Sequence, residues 1–353
     1  MRNGMACDRD RAGRLPAVRL QSCVAVLFCC GYLAHSTAGL SAQTSKLEVV
    51  GTIAGPVDVV RVNGTYAYVA AGTKISVFDV SDPTAAKLKG AITLSDTIAA
   101  VTVSGSLAYV AIGLSGLAIV DVSNPAAPAQ LGSFKTPGEA LRVVIVGTKA
   151  LVVNRLSGIE VIDVSNPAKP VSLGSYYTEG YARDVAVSGS LAYVVDATTD
   201  FAVIDVSKPG PPTVVSTKEL GQTAEIVAVA SPASTAQGAK IAYVLGGSVV
   251  QIYDVSDSSA PVKVTTDTFP GRAQSVAVQG LLAYVAAGLA GLHIIDLSNP
   301  AKPAIADSYK TAGPARDVAV AGSLVFVAVG EARREGAATG TSTAGVIILR
   351  RQN

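Results

Sequence analysis

Apolar residues in this chain come in short runs, rich in Val, Ile and Ala and cut by Gly, Pro, Asn, Asp and Ser. Such runs, β-branched and bounded by turn formers, predict short β-strands. One stretch shows the order: "VSLGSY" (Val171–Tyr176), "DVAVSG" (Asp184–Gly189), "LAYVV" (Leu191–Val195) and "FAVIDV" (Phe201–Val206). Between them, "SGS" at Ser188–Ser190 predicts a tight hairpin. In "DVSNPAKP", Asp and Asn can bond nearby backbone N–H groups while Pro stops the strand. Strands such as "VAV" and "YVA" are apolar on both faces, as expected of a sheet covered on both sides by like sheets.

The pattern recurs. Its anchor Asp stands at Asp79, Asp121, Asp163, Asp205, Asp254 and Asp296, 42 residues apart except for 49 between Asp205 and Asp254. A seventh copy, "GVIILR" from Gly345, has Arg350 in place of the Asp. Four strands in a period of about 40–45 residues predict propeller blades. A parallel β-solenoid, the competing fold, needs only about half that period per coil. The pattern opens at Leu47 on "LEVVGTIAGP", an outer-strand sequence, and ends at Leu349 without one. Pairing the two would close the ring and cover two sheet edges. The expectation is an all-β, seven-bladed propeller of four-stranded antiparallel blades, closed by the N-terminal strand.

The units "GLAIVDVSNPAAP" (from Gly116), "GIEVIDVSNPAKP" (from Gly158) and "GLHIIDLSNPAKP" (from Gly291) resemble the bacterial LVIVD-repeat family. The resemblance runs from Leu47 to Leu349 and implies an exported or surface β-propeller. It implies no catalytic residues. The seventh unit, lacking the Asp, and the lengthened fifth depart from the pattern.

Residues 1–42 differ from the rest. Arg2, Arg9, Arg11, Arg14 and Arg19 precede the apolar run Val24–Ala34, and small residues follow up to "LSA" before Gln43. That order predicts a secretory signal peptide, leaving a single domain at 43–353 in the periplasm, in the medium or on the cell surface. All four cysteines lie in this leader, so the mature chain has no disulfide, thiolate metal site or cysteine nucleophile. Losing five Arg and two Asp turns 28 basic and 26 acidic residues into 23 and 24. A near-neutral chain argues against nucleic acid, and no apolar run is long enough to span a membrane.

The repeated Asp and Gly are expected to serve turns rather than metal or phosphate, since "DVSNP" supplies too few oxygens for calcium. Function then belongs where the blades differ. Two columns precede the inner "VAV" strands and are expected to ring the channel mouth. The first reads Asp58, Ala99, Leu141, Arg183, Glu225, Gln274 and Arg316; the second Val59, Ala100, Arg142, Asp184, Ile226, Ser275 and Asp317. The loops "NRLSG", with Arg155, and "DATTD", with Asp196 and Asp200, are expected on the same face. So is the long Gly330–Gly345 loop with Arg333 and Arg334. The lengthened hairpin from Ser231 is expected on the opposite face.

These residues fit a non-catalytic binding scaffold for a protein or cell-envelope component, monomeric and without a metal or cofactor. A solvated rim of mutually paired Arg and Asp is the bland alternative, and a purely structural surface protein another. The mature chain has one histidine, His293, expected to be a scaffold residue, and so no nucleophile–base pair or ordinary zinc site. A hydrolase built on Asp58, Asp184, Glu225 and Asp317 is the enzymatic alternative. With no Trp, a sugar-stacking platform is poorly supplied.

Overall fold

A computed structural model describes residues 46–198, 200–230, 240–331 and 344–352. The leader read at 1–42, and most of the Ser231 hairpin and the Gly330–Gly345 loop, lie outside them. Seven four-stranded antiparallel sheets form seven blades, whose inner strands begin at Val59, Ala100, Ala140, Ala182, Ile226, Ser275 and Ala315. In blade 4 the strands run Ala182–Ser188, Leu191–Asp196, Asp200–Asp205 and Thr213–Glu219. No helix of the described residues is long and apolar enough to cross a membrane.

The inner strand of each blade touches those of both neighbours, and blade 7 touches blade 1. The ring is closed. Seven apolar clusters lie one between each adjacent pair of blades; between blades 1 and 2, Ile75 and Val77 pack against Val101, Val110 and Val120. This explains the runs that are apolar on both faces. A blade's two faces are buried only against two other blades, so the sequence must be repeated until the ring shuts.

Closure is by the N-terminal strand, as the sequence predicts. Leu47–Ala54 pairs antiparallel with Gly345–Arg351, from Leu47 opposite Arg351 to Ala54 opposite Gly345.

The anchor Asp caps its turn in all six blades that carry it. The N–H of Ser81, Ser123, Ser165, Ser207, Ser256 and Ser298 donates to Oδ1 of the Asp two residues before it, at 2.8–3.1 Å. Ser123, Ser165 and Ser207 each donate an N–H and a hydroxyl that hold Asp121, Asp163 and Asp205 below the usual carboxylate range. Asn124, Asn166 and Asn299 cap the next step of the turn in the same way.

The repeated "LGS" glycine has a role the sequence reading did not assign. Each outer strand is bulged, and the turn of the following blade abuts it there. A Cβ on Gly132 would collide with the carbonyl oxygen of Pro167, and one on Gly90 with those of Pro125 and Ala126.

Candidate functional site

Inner strands start at the channel mouth, and three of them start irregularly. The register shifts between Ala140 and Arg142, between Ala182 and Asp184, and between Ala315 and Asp317. Such a bulge adds one residue opposite a single partner and re-aims the side chains around it. The two columns, read as one ring at the mouth, therefore separate in depth. Leu141 and Arg183 line the mouth, whereas Asp184 lines the channel below and Arg142 borders both.

The channel holds a cavity of about 200 Å³ walled by the inner strands of blades 1 to 6, with Arg61, Thr102, Arg142, Asp184 and Ser275 as its polar lining. Asp317 is only 3% exposed. Its Oδ2 accepts from Val60 N at 2.9 Å and from Arg61 Nη1 at 2.5 Å, and its Oδ1 from Ser275 Oγ at 2.5 Å. One carboxylate thus ties blades 6, 7 and 1. Asp184 is its counterpart across blades 3, 4 and 5: Oδ2 accepts from Val227 N at 3.1 Å, and Oδ1 faces Arg142 Nε at 3.5 Å. Burial pushes the Asp184 carboxyl above its ordinary pKa, against the opposing pull of Arg142 and of the Val227 and Val185 N–H groups. Both Asp residues, expected at the rim, sit lower and join blades.

At the rim itself, Arg316 pairs with Asp58 across blades 7 and 1, and both are nearly half exposed. On the other side, Leu141, Arg142, Arg155, Arg183, Glu225 and Arg272 line a cup of about 200 Å³. Arg155 pairs with Glu139 at 3.0 Å, and Arg272 pairs with Glu225. Arg183 forms no ion pair among the described residues, and its buried Nε has no hydrogen-bond partner. The Arg–acid pairing expected of a bland rim does occur, but between elements, and it leaves Arg183 out.

Asp196 is 1% exposed and turns inward, accepting from Thr198 N of its own loop at 3.0 Å and from Gly180 N of the loop between blades 3 and 4 at 3.2 Å. The Asp200 side chain, Arg333 and Arg334 lie outside the described residues. His293 is buried in the third strand of blade 6, and burial lowers its imidazole pKa. Asp58, Asp184, Glu225 and Asp317, the carboxylates of the hydrolase alternative, are each engaged by an arginine. Arg61 and Arg272 were missed in the sequence. Arg61 could have been found, as the charged residue of "VVRVN" where the inner strand of blade 2 has "AVTVS".

The two faces also differ in apolar exposure. Among the described residues, the exposed large apolar side chains lie on outer strands or in mouth-face loops. The loop set is Leu114, Leu156 and Leu289, before the third strands, with Tyr177 and Tyr181 between blades 3 and 4. None lies in the Asp-capped turns of the opposite face.

Residues 54–93, 98–136, 137–178, 179–218, 270–311 and 312–332 match the model of the LVIVD repeat. The chain belongs to the LVIVD-repeat family. The LVIVD match passes over the lengthened fifth blade, Ile226–Thr268. Among curated proteins, none matches the sequence. Among solved structures, BamB from Moraxella catarrhalis is similar at a TM-score of 0.58 and 12% identity, covering 86% of this chain and 99% of that one. The computationally designed Ika8 protein is similar at 0.56 and 8%, covering 86% and 98%. At those identities the likeness is one of fold.

Proposed function

We propose that this LVIVD-repeat protein is an exported, monomeric binding scaffold that engages a protein or other envelope partner with its mouth face and catalyses no reaction. One observation carries the reading: every exposed large apolar side chain in a described loop is on that face, around a rim whose charges differ from blade to blade. Apolar anchors beside unlike charges suit a specific partner. The opposite face repeats one self-satisfied turn. Export rests on the basic, apolar, small-residue order of residues 1–42.

The test is capture from envelope extract by the protein and by its Leu156→Glu, Tyr181→Glu double variant. Partners held by the first and lost by the second, with Lys169→Glu on the opposite face behaving as wild type, are expected. A double variant that folds and still holds every partner would sink the reading. N-terminal sequencing of the cell-made protein should begin near Gln43; a chain beginning at Met1 would contradict export.

A further inference from the structure

We infer that the cup between blades 3 and 6 is a receptor for an acidic side chain of a protein partner, with Arg183 as its principal contact. The inference deepens the mouth-face reading and rests on it. The cup is lined by four guanidinium groups (Arg142, Arg155, Arg183 and Arg272) and one carboxylate, that of Glu225. Two further carboxylates reach it from outside the lining. Asp184 lies at 3.5 Å from Arg142, and Glu139 at 3.0 Å from Arg155. That leaves one cation over, and it is Arg183.

The Arg183 Nε–H is buried and donates to nothing; the Arg155 Nε makes no hydrogen bond either, but it has the Glu139 carboxylate beside it, and Arg183 has none among the described residues. A buried donor left unsatisfied is destabilising, and more so when the group is charged. A planar carboxylate offers the two parallel acceptors that a guanidinium fork takes up best. The far side of the rim has no such vacancy, because Arg316 already carries Asp58.

Two features favour an acidic residue within a peptide over a free phosphate. First, the one cation left over matches the charge of a carboxylate monoanion, whereas a phosphate, with its charge of about −1.5 to −2, would leave the cup with excess negative charge. Second, the edge of the cup is apolar: Leu156 follows Arg155, Tyr181 lies just before Ala182 and Arg183, and both are exposed. A peptide with an acid flanked by apolar residues covers both at once. A phosphate covers neither.

The experiment measures binding of a fluorescein-labelled peptide of alternating Glu and Leu by anisotropy, beside the same peptide with Gln for Glu. The protein, its Arg183→Gln and Arg183→Lys variants and the opposite-face Lys169→Gln variant are compared, with inorganic phosphate as competitor. The Glu peptide should bind at least ~10-fold tighter than the Gln peptide. Arg183→Gln should lose that margin, Arg183→Lys should recover part of it, and Lys169→Gln should match wild type. No binding of the Glu peptide up to millimolar concentration, or equal binding of both peptides, overturns the assignment. So does an Arg183→Gln variant with unchanged melting and unchanged affinity, or phosphate bound more tightly than the Glu peptide. If envelope capture is lost with Leu156→Glu and Tyr181→Glu but kept with Arg183→Gln, the mouth face stands and the cup alone fails.

Discussion

Asp163 and Asp184 lie in adjacent blades, one in an exposed turn and the other inside the channel, and the protein treats their carboxylates in opposite ways. Asp163 stands in water and is satisfied within two residues by the Ser165 N–H and hydroxyl, which hold its pKa down. Asp184 is buried in the channel and draws its partners from other blades, Val227 and Arg142, beside the Val185 N–H of its own strand, and burial pushes its pKa up. A residue repeated in six blades is satisfied locally and can be copied indefinitely. A residue found in one or two blades depends on where it sits in the ring. That contrast separates scaffold from site more sharply than residue type does.

The hardest test of the contrast removes ring closure itself. Deleting residues 46–54 leaves Gly345–Arg351 as an unpaired edge and strips Leu47 and Ile53 from two inter-blade clusters. Soluble monomer, read by size-exclusion chromatography with light scattering, should give way to aggregate or strand-swapped oligomer. An intact monomer would break the closure account.

Next in size is a pair of substitutions, one in the channel and one at the rim. Asp317→Ala leaves Arg61, Ser275 and the Val60 N–H without their acceptor inside the channel, a loss of about 3–5 kcal/mol in urea unfolding. Asp58→Ala breaks the exposed pair with Arg316 and a long, exposed bond from the Gly72 N–H, and should cost no more than about 1 kcal/mol. Equal losses would erase the distinction between channel and rim. Smaller than the first is Gly132→Ala, whose methyl group meets the Pro167 carbonyl. It should cost about 1–3 kcal/mol by overpacking, and a neutral result would show that the neighbouring turn can withdraw.

The smallest effect is in pH dependence, and the exposed turn and the channel should differ in sign. A carboxyl held low contributes stability above the unfolded-chain value of about 3.9 that is lost as pH falls through its folded pKa. Asp163→Asn should therefore lessen the drop in melting temperature on acidification. A carboxyl pushed up behaves the other way: its contribution is full below that value and lost as pH rises through the raised one. The melting temperature of the wild type relative to Asp184→Asn should therefore fall as pH rises from 4. Parallel curves for the two variants would contradict the assignment.

Much of the fold was legible because a propeller writes its packing into its period. The Asp anchors, the hairpin glycines and the orphan strand at Leu47 each mark a local or pairwise requirement. The "LGS" glycine was less legible, because what it accommodates comes from the next blade. The site was legible as a set of columns but not in depth. Nothing in "ARD" at Ala182–Asp184 or Ala315–Asp317 announces a bulge, and the bulge decides which side chain faces the rim. Asp196 misled for a related reason: its loop is at the mouth, but its carboxylate turns back to cap that loop.

The claim that the mouth is the working face is tested most directly by hydroxyl-radical footprinting of the protein in complex with a partner captured from envelope extract. Protection should centre on Leu114, Leu156, Tyr177, Tyr181 and Leu289, with the outer strands and the Asp-capped turns as reactive as in the free protein. Protection confined to those turns, or to outer-strand residues such as Leu88 and Val214, would place the working surface elsewhere and contradict the account.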